Sequence, residues 1–244
     1  MSRIQSIGAV FFRFRGHLPL FYLAVLLPVS INNYIQLFNA DFSHYMKAIS
    51  TGLIVLGVLI RVLVVGYKAP HTSGRNRHEQ VAHTLNTTGL YSVIQHPLYF
   101  GSFLIWVGLS ILLNNLIFFI GLILFSLVFF RAIIHEESNF LKERFGDLYV
   151  KWSLRTPVYY LNPFLFVPTK NSFDWIRVFA TEYPSWISII AGFLLVDLLS
   201  FYIAVYDESL LLSIYRWIII GIGMGISGRF FKYVVVRRWF KRSI

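Results

Sequence analysis

Six apolar runs, at about residues 18–38, 46–67, 98–113, 116–134, 184–205 and 209–228, set the terms on which this chain can fold. Roughly 20 consecutive apolar residues carry a helix across a bilayer, and in hydrocarbon a helix satisfies its own backbone polar groups. The expected class is therefore all-α, a polytopic integral membrane protein with about six transmembrane helices. Composition agrees: 14% of residues are charged and 57% hydrophobic, whereas a soluble domain carries about 25% charged residues. The third run is short, and Asn114-Asn115 makes a tight turn into the fourth, so these two form a helical hairpin. Pro28, inside the first run, removes an amide donor and is expected to kink it.

Lysine and arginine fall on alternate connections. Arg3, Arg13 and Arg15 precede the first run, and Lys68, Arg75 and Arg77 follow the second. Lys142, Arg144, Lys151, Arg155, Lys170 and Arg177 follow the fourth, and the sixth leads into RFFKYVVVRRWFKRSI. The opposite turns hold Asp41, Asn114-Asn115 and Asp207-Glu208, with no basic residue. Basic loops stay in the cytoplasm, which puts both termini inside and brings segments 68–97 and 135–183 to one side. The first run is long and lacks a small-x-small cleavage site, so it reads as a retained anchor rather than a signal peptide. The net charge of +11 then belongs to cytoplasmic loops facing anionic head groups, not to nucleic-acid binding. The basic, aromatic tail is expected to hold anionic lipids. With no cysteine, disulfides and thiolate metal sites are excluded.

Two polar stretches on the cytoplasmic side carry the chemistry. In GLYSVIQHPLYFG, residues 89–101, His96-Pro97 stands where the chain enters the third run. Proline suits the first helical position, and the residue before it is biased towards extended backbone, so His96 projects from the helix mouth. Tyr99 and Gly101 follow in the first turn, where free amides and the helix dipole favour an anion. Gly101 would let a ligand approach the backbone. In HEESNFLKERFGDLYVKWSLRTP, residues 135–157, Glu136 and Glu137 emerge one to two turns after Arg131. Carboxylates leaving a membrane helix are costly unless hydrated or paired, and the hairpin returns these two close to His96. Gly146 reads as a helix stop, followed by Tyr149, Trp152, Arg155 and Pro157. Taken singly, the first stretch also reads as an ordinary loop-to-helix junction and the second as a solvated interfacial helix.

Together the two stretches, with a hydrophobic hairpin between them, resemble the isoprenylcysteine carboxyl methyltransferase and phospholipid methyltransferase superfamily of integral membrane enzymes. The resemblance covers about residues 67–163. It implies S-adenosylmethionine as cofactor, bound at the cytoplasmic face by Tyr91, Gln95, His96, Pro97, Tyr99, Gly101, Glu136 and Glu137. It also implies that Arg155 faces the substrate's anionic group or the reacting centre. Two positions depart from the family pattern. Gln95 stands in place of an arginine and Trp152 in place of a tyrosine. Glutamine still hydrogen-bonds but supplies no charge, a deficit that Arg131, Arg75 or Arg77 is placed to cover.

Three segments follow: 1–67, a two-helix membrane segment; 68–163, the methyltransferase core; and 164–244, an extension with two helices and the basic tail. In the 68–97 loop, Arg75, Asn76, Arg77 and His78 suit a head-group or cofactor-phosphate-like anion site, with a solvated loop as the alternative. HEQVAH is no zinc site, because its histidines are five apart and no third ligand accompanies them. GIGMGISG lies inside an apolar helix and follows no strand, so it marks close helix packing rather than a dinucleotide site. Lys47, Arg61 and Arg216 snorkel or face the bundle, and Arg216 is the candidate partner of Asp197.

The expected reaction is methyl transfer to a lipid or lipidated substrate, with an anionic oxygen as acceptor. Phosphate on lipid A or another membrane lipid and a prenylcysteine carboxylate all fit. A deprotonated acceptor needs an arginine to orient it, a role for Arg155 or Arg131, whereas an amine would need a base such as Glu137. The rival readings are a phospholipid amine N-methyltransferase, an NADPH-dependent sterol-reductase-like enzyme, and a non-catalytic lipid-binding or transport protein.

Overall fold

Glycine sets how closely the two central helices approach. The computed structural model describes residues 29, 35–38, 40–69, 72, 82–204, 208–231 and 233–234. In chain order these form α1 (Ala40–Tyr67), α2 (Leu90–Val93), α3 (Pro97–Leu112), α4 (Leu116–Phe145) and α5 (Asp147–Ser153). A 3-10 turn at Pro163–Leu165 leads on to α6 (Trp175–Ala204) and α7 (Glu208–Phe231). Strand pairing among the described residues is limited to isolated bridges such as Gly89 with Val167. The all-α membrane architecture is therefore as expected.

The most intimate pairing is α1 against α3. A Cβ on Gly57 would stand 2.5 Å from the carbonyl oxygen of Gly101, and one on Gly108 would stand 2.8 Å from that of Ser50. Ser50 is fully buried and its hydroxyl donates to the Gly108 carbonyl at 2.7 Å. Small residues seven apart on both helices thus let the backbones touch, the packing that replaces hydrophobic driving force within lipid. Ile54, Ile105 and Leu109 fill the space between, with Val58 and Phe193 against them.

Among the described residues, Tyr45–Tyr67, Leu116–Phe145 and Trp175–Leu198 are long and apolar enough to cross a membrane, and Pro97–Leu112 is a shorter apolar helix. α4, with 30 residues, reaches about 45 Å, so its last turns extend beyond a hydrocarbon core of about 30 Å. The α3–α4 turn forms as expected. Asn114 takes a positive φ of 49°, and its side chain bonds both backbone groups of Phe38. Asn115 caps α4 by accepting from the Phe118 amide.

Much of the expected first span, Arg75, Asn76 and Arg77, and the basic tail from residue 235 lie outside the described residues. One boundary differs from expectation. α6 begins at Trp175, with Pro184 inside it rather than at its start. The added turns and the residues just before them clasp the end of α1: the Asp174 amide donates to the Gly66 carbonyl, Asn171 to that of Tyr67 and Arg177 to that of Lys68. Phe173 lies over Gly66, where a Cβ would come within 2.1 Å of its ring. Asp197 accepts from the Trp217 indole at 2.7 Å, and Arg216 stands over that ring.

Candidate functional site

The site lies where the C-terminal ends of α1 and α4 meet the N-terminal ends of α3 and α6. Its base is the segment just before α3. Gly89, at a φ of 64°, donates its amide to the Val167 carbonyl, and Ser92 Oγ bridges the Gly89 carbonyl and the Val167 amide. The Asn162 amide donates to the Val93 carbonyl, and the Gln95 amide to that of Pro157. The Trp152 indole donates to the Tyr91 carbonyl at 3.0 Å. The two chemistry-bearing stretches, some 60 residues apart in sequence, are therefore laced together along their backbones.

Gln95 is the centre of that lacing. It is 5% exposed, and its Nε2 donates to the carbonyls of Ser153 at 2.9 Å and Thr156 at 2.7 Å. An amide nitrogen has two hydrogens, so none remains for a ligand. Glutamine at this position holds the turn that carries Arg155. Arg155 itself is exposed and projects from that turn.

His96 occupies the mouth of α3, as its position before proline requires. It is buried, with Nδ1 3.5 Å from Glu137 Oε2. With Nδ1 turned to the carboxylate, Nε2 is the ring nitrogen left for another group. Nε2 is buried and has no hydrogen-bond partner among the described residues. Buried polar atoms are almost always satisfied, which makes this atom a candidate acceptor for a ligand group or water. The ring stacks on Tyr99 at 5.8 Å, Tyr99 meets Phe130 at 5.8 Å, and Phe130 meets Phe103 at 6.3 Å. Phe130 and Glu137 are seven residues apart and so share one face of α4. An aromatic wall therefore descends from His96 along the α3–α4 seam.

Other expected residues are placed differently. Pro97 is buried at the first position of α3. Glu136 is partly buried on the last turns of α4. Arg131 is exposed and lies about 120° around α4 from Glu137, so it does not share the face turned to His96. Gly101 faces α1: a Cβ there would stand 2.9 Å from both Arg61 Cγ and the Gly57 carbonyl oxygen. Its closeness is to a helix rather than to a ligand. Gly146, at a φ of 51°, ends α4 by donating to Lys142, as expected.

One set of residues escaped the sequence reading of the site. Arg61 forms a bidentate pair with Glu182, through Nε to Oε2 at 2.8 Å and NH2 to Oε1 at 3.0 Å. The signal for Arg61 was a charge inside an apolar run. Glu182 gave none, because α6 was expected to start after it.

Residues 45–148 match the family model for phospholipid methyltransferases. The protein-S-isoprenylcysteine O-methyltransferase of Schizosaccharomyces pombe is 33% identical over 127 residues, 50% of this chain and 51% of that protein. Protein-S-isoprenylcysteine O-methyltransferase B of Arabidopsis thaliana is 36% identical over 109 residues, 43% of this chain and 54% of that protein. The human protein-S-isoprenylcysteine O-methyltransferase is 33% identical over 115 residues, 44% and 40% of the two chains. The chain thus spans about half the length of these relatives. No solved structure matches. The hairpin that carries His96 and Glu137 lies inside the matched segment, and that segment is similar to both the phospholipid methyltransferases and the isoprenylcysteine O-methyltransferases.

Proposed function

We propose that this protein transfers a methyl group from S-adenosylmethionine to an anionic oxygen of a lipid or lipidated substrate. The observation that carries this reading is the buried Nε2 of His96, without a hydrogen-bond partner among the described residues, at the head of an aromatic wall. His96, Tyr99 and Glu137 would hold the donor. Its sulfonium supplies an already activated methyl group. Aromatic faces such as Tyr99 and Phe130 favour a neighbouring cation, and Glu137 adds a compensating negative charge. In the transfer the methyl carbon's bond to sulfur breaks as its bond to the acceptor oxygen forms, giving a neutral thioether and a methyl ester.

A carboxylate or phosphate arrives deprotonated, so the protein need not move a proton. Its task is to align the reactants and exclude water. Arg155, exposed on a turn anchored by Gln95, would orient the acceptor, with Arg75, Asn76 and Arg77 contributing from their loop. The names of the relatives favour a prenylcysteine carboxylate over a lipid A phosphate. The distribution of basic residues supports a cytoplasmic site with both termini inside, and anionic lipids at the basic tail. The core is 68–163, preceded by a membrane segment and followed by an extension.

Purified protein incubated with methyl-labelled S-adenosylmethionine and separate acceptors tests the reading. Label should enter a prenylcysteine as a base-labile carboxyl methyl ester, or an anionic lipid as an O-methyl phosphate. Transfer only to an amine head group would replace it with N-methylation, and binding of NADPH without S-adenosylmethionine would overturn it.

A further inference from the structure

Arg61 and Glu182 belong to different parts of the chain. Arg61 lies in the segment matched by the family, whereas Glu182 lies beyond it in α6. Their side chains are 16% and 2% exposed. Besides the two bonds to Glu182, the guanidinium donates from NH2 to Ser185 Oγ at 3.0 Å and from NH1 to Ser102 Oγ at 2.5 Å. A longer contact of 3.4 Å runs from NH1 to the Leu98 carbonyl, which also accepts from Ser102 Oγ at 2.8 Å. The arginine stem crosses α3 against Gly101. One partly buried cation thus ties α1, α3 and α6 together.

A buried ion pair is a poor way to obtain stability alone, since apolar residues of similar volume usually serve as well. What this pair does in addition is grip the first turn of α3. Leu98 lies between Pro97 and Tyr99, and Ser102 is one turn on. We propose that Glu182 is a positioning residue: through Arg61 it fixes the first turn of α3, and with it the rings of His96 and Tyr99. α6 is then a working part of the donor site rather than an appended anchor. The role in catalysis rests on the methyl-transfer reading; the grip on α3 does not.

The test uses the full chain in lipid nanodiscs. Arg61→Met with Glu182→Leu removes both charges together and should keep thermal stability near that of the parent protein. It should lower kcat/KM by about a hundredfold, as expected for reacting groups misplaced by an ångström. Donor affinity should fall in parallel, with a smaller change in acceptor KM. Glu182→Asp, which keeps the charge, should recover part of the loss. A folded double variant with donor affinity and kcat within about twofold of the parent would sink the proposal. Should the double variant not fold, Glu182→Gln is examined with a nitroxide on a Leu98→Cys variant, in a chain with no native cysteine. A more mobile spectrum than in the Glu182 protein supports the grip, and an unchanged one rejects it. Failure of the parent protein to bind S-adenosylmethionine would remove the methyl-transfer reading and leave the spectroscopic result standing.

Discussion

The side-chain nitrogen of Gln95 lies 2.7 Å from the carbonyl oxygen of Thr156, and both residues are buried. The bond connects the mouth of α3 to the turn bearing Arg155, adding a side-chain tie to the backbone bonds that hold the two halves of the site. Replacing Gln95 with Met would fill similar volume but leave two carbonyls without this donor. The expected loss is about 1–3 kcal/mol, read as a lower thermal midpoint in detergent. Activity should fall with it, through acceptor KM more than donor affinity.

His96 and Glu137 face each other at 3.5 Å, and the consequence is energetic coupling. His96→Ala and Glu137→Gln should each weaken S-adenosylmethionine binding, measured by calorimetry. Their double variant should lose less than the sum, with a coupling of about 0.5–3 kcal/mol. Strict additivity would show that the two side chains act independently.

Arg155 is exposed, so its replacement separates function from stability. Arg155→Ala should leave the thermal midpoint unchanged to within the equivalent of about 0.5 kcal/mol. Acceptor turnover should collapse while donor affinity is preserved. Equal loss of donor binding would move Arg155 from the acceptor side of the site to the donor side.

The glycines divide into two groups. Gly57→Ala and Gly108→Ala put a methyl against backbone oxygen at 2.5 Å and 2.8 Å, and each should cost about 1–3 kcal/mol by forcing α1 and α3 apart. Gly52→Ala and Gly223→Ala meet nothing within 4 Å and should be neutral or stabilising by up to about 1 kcal/mol. Thermal midpoints of the four variants in one detergent check the division.

Asn114 holds a positive φ and bonds both backbone groups of Phe38. Asn114→Gly keeps the backbone conformation and loses only those bonds. Asn114→Val adds a strain of about 1–2 kcal/mol and should be the less stable of the two in the same melting assay.

Local signals were the legible ones. The Asn114-Asn115 turn, Gly146 as a helix stop and His96 at a helix mouth each follow from the chemistry of one or two neighbouring residues. The meeting of His96 with Glu137 then follows from the hairpin. Gly101 was less legible, because a glycine that admits a ligand and one that admits a helix read alike in sequence. The apolar run begins at Pro184, because charged and polar residues precede it. Pro184 stands within α6 instead, and the misplacement hid Glu182 in a supposed loop. The partner of Arg61 was beyond local reasoning, being 121 residues away.

That separation also bears on how the protein is made. Translation at about 5–20 residues per second puts roughly 6–24 s between the appearance of Arg61 and that of Glu182. Through that interval the guanidinium must stay hydrated, or be sheltered by the insertion machinery, because an unpaired charge in hydrocarbon is strongly disfavoured. Until then α3 offers the guanidinium only the Ser102 hydroxyl and the Leu98 carbonyl, so α1 is expected to settle to its final depth after α6 has entered the membrane. A chain arrested before residue 175 should leave α1 displaced towards water, where a cysteine placed along it would react with a membrane-impermeant reagent.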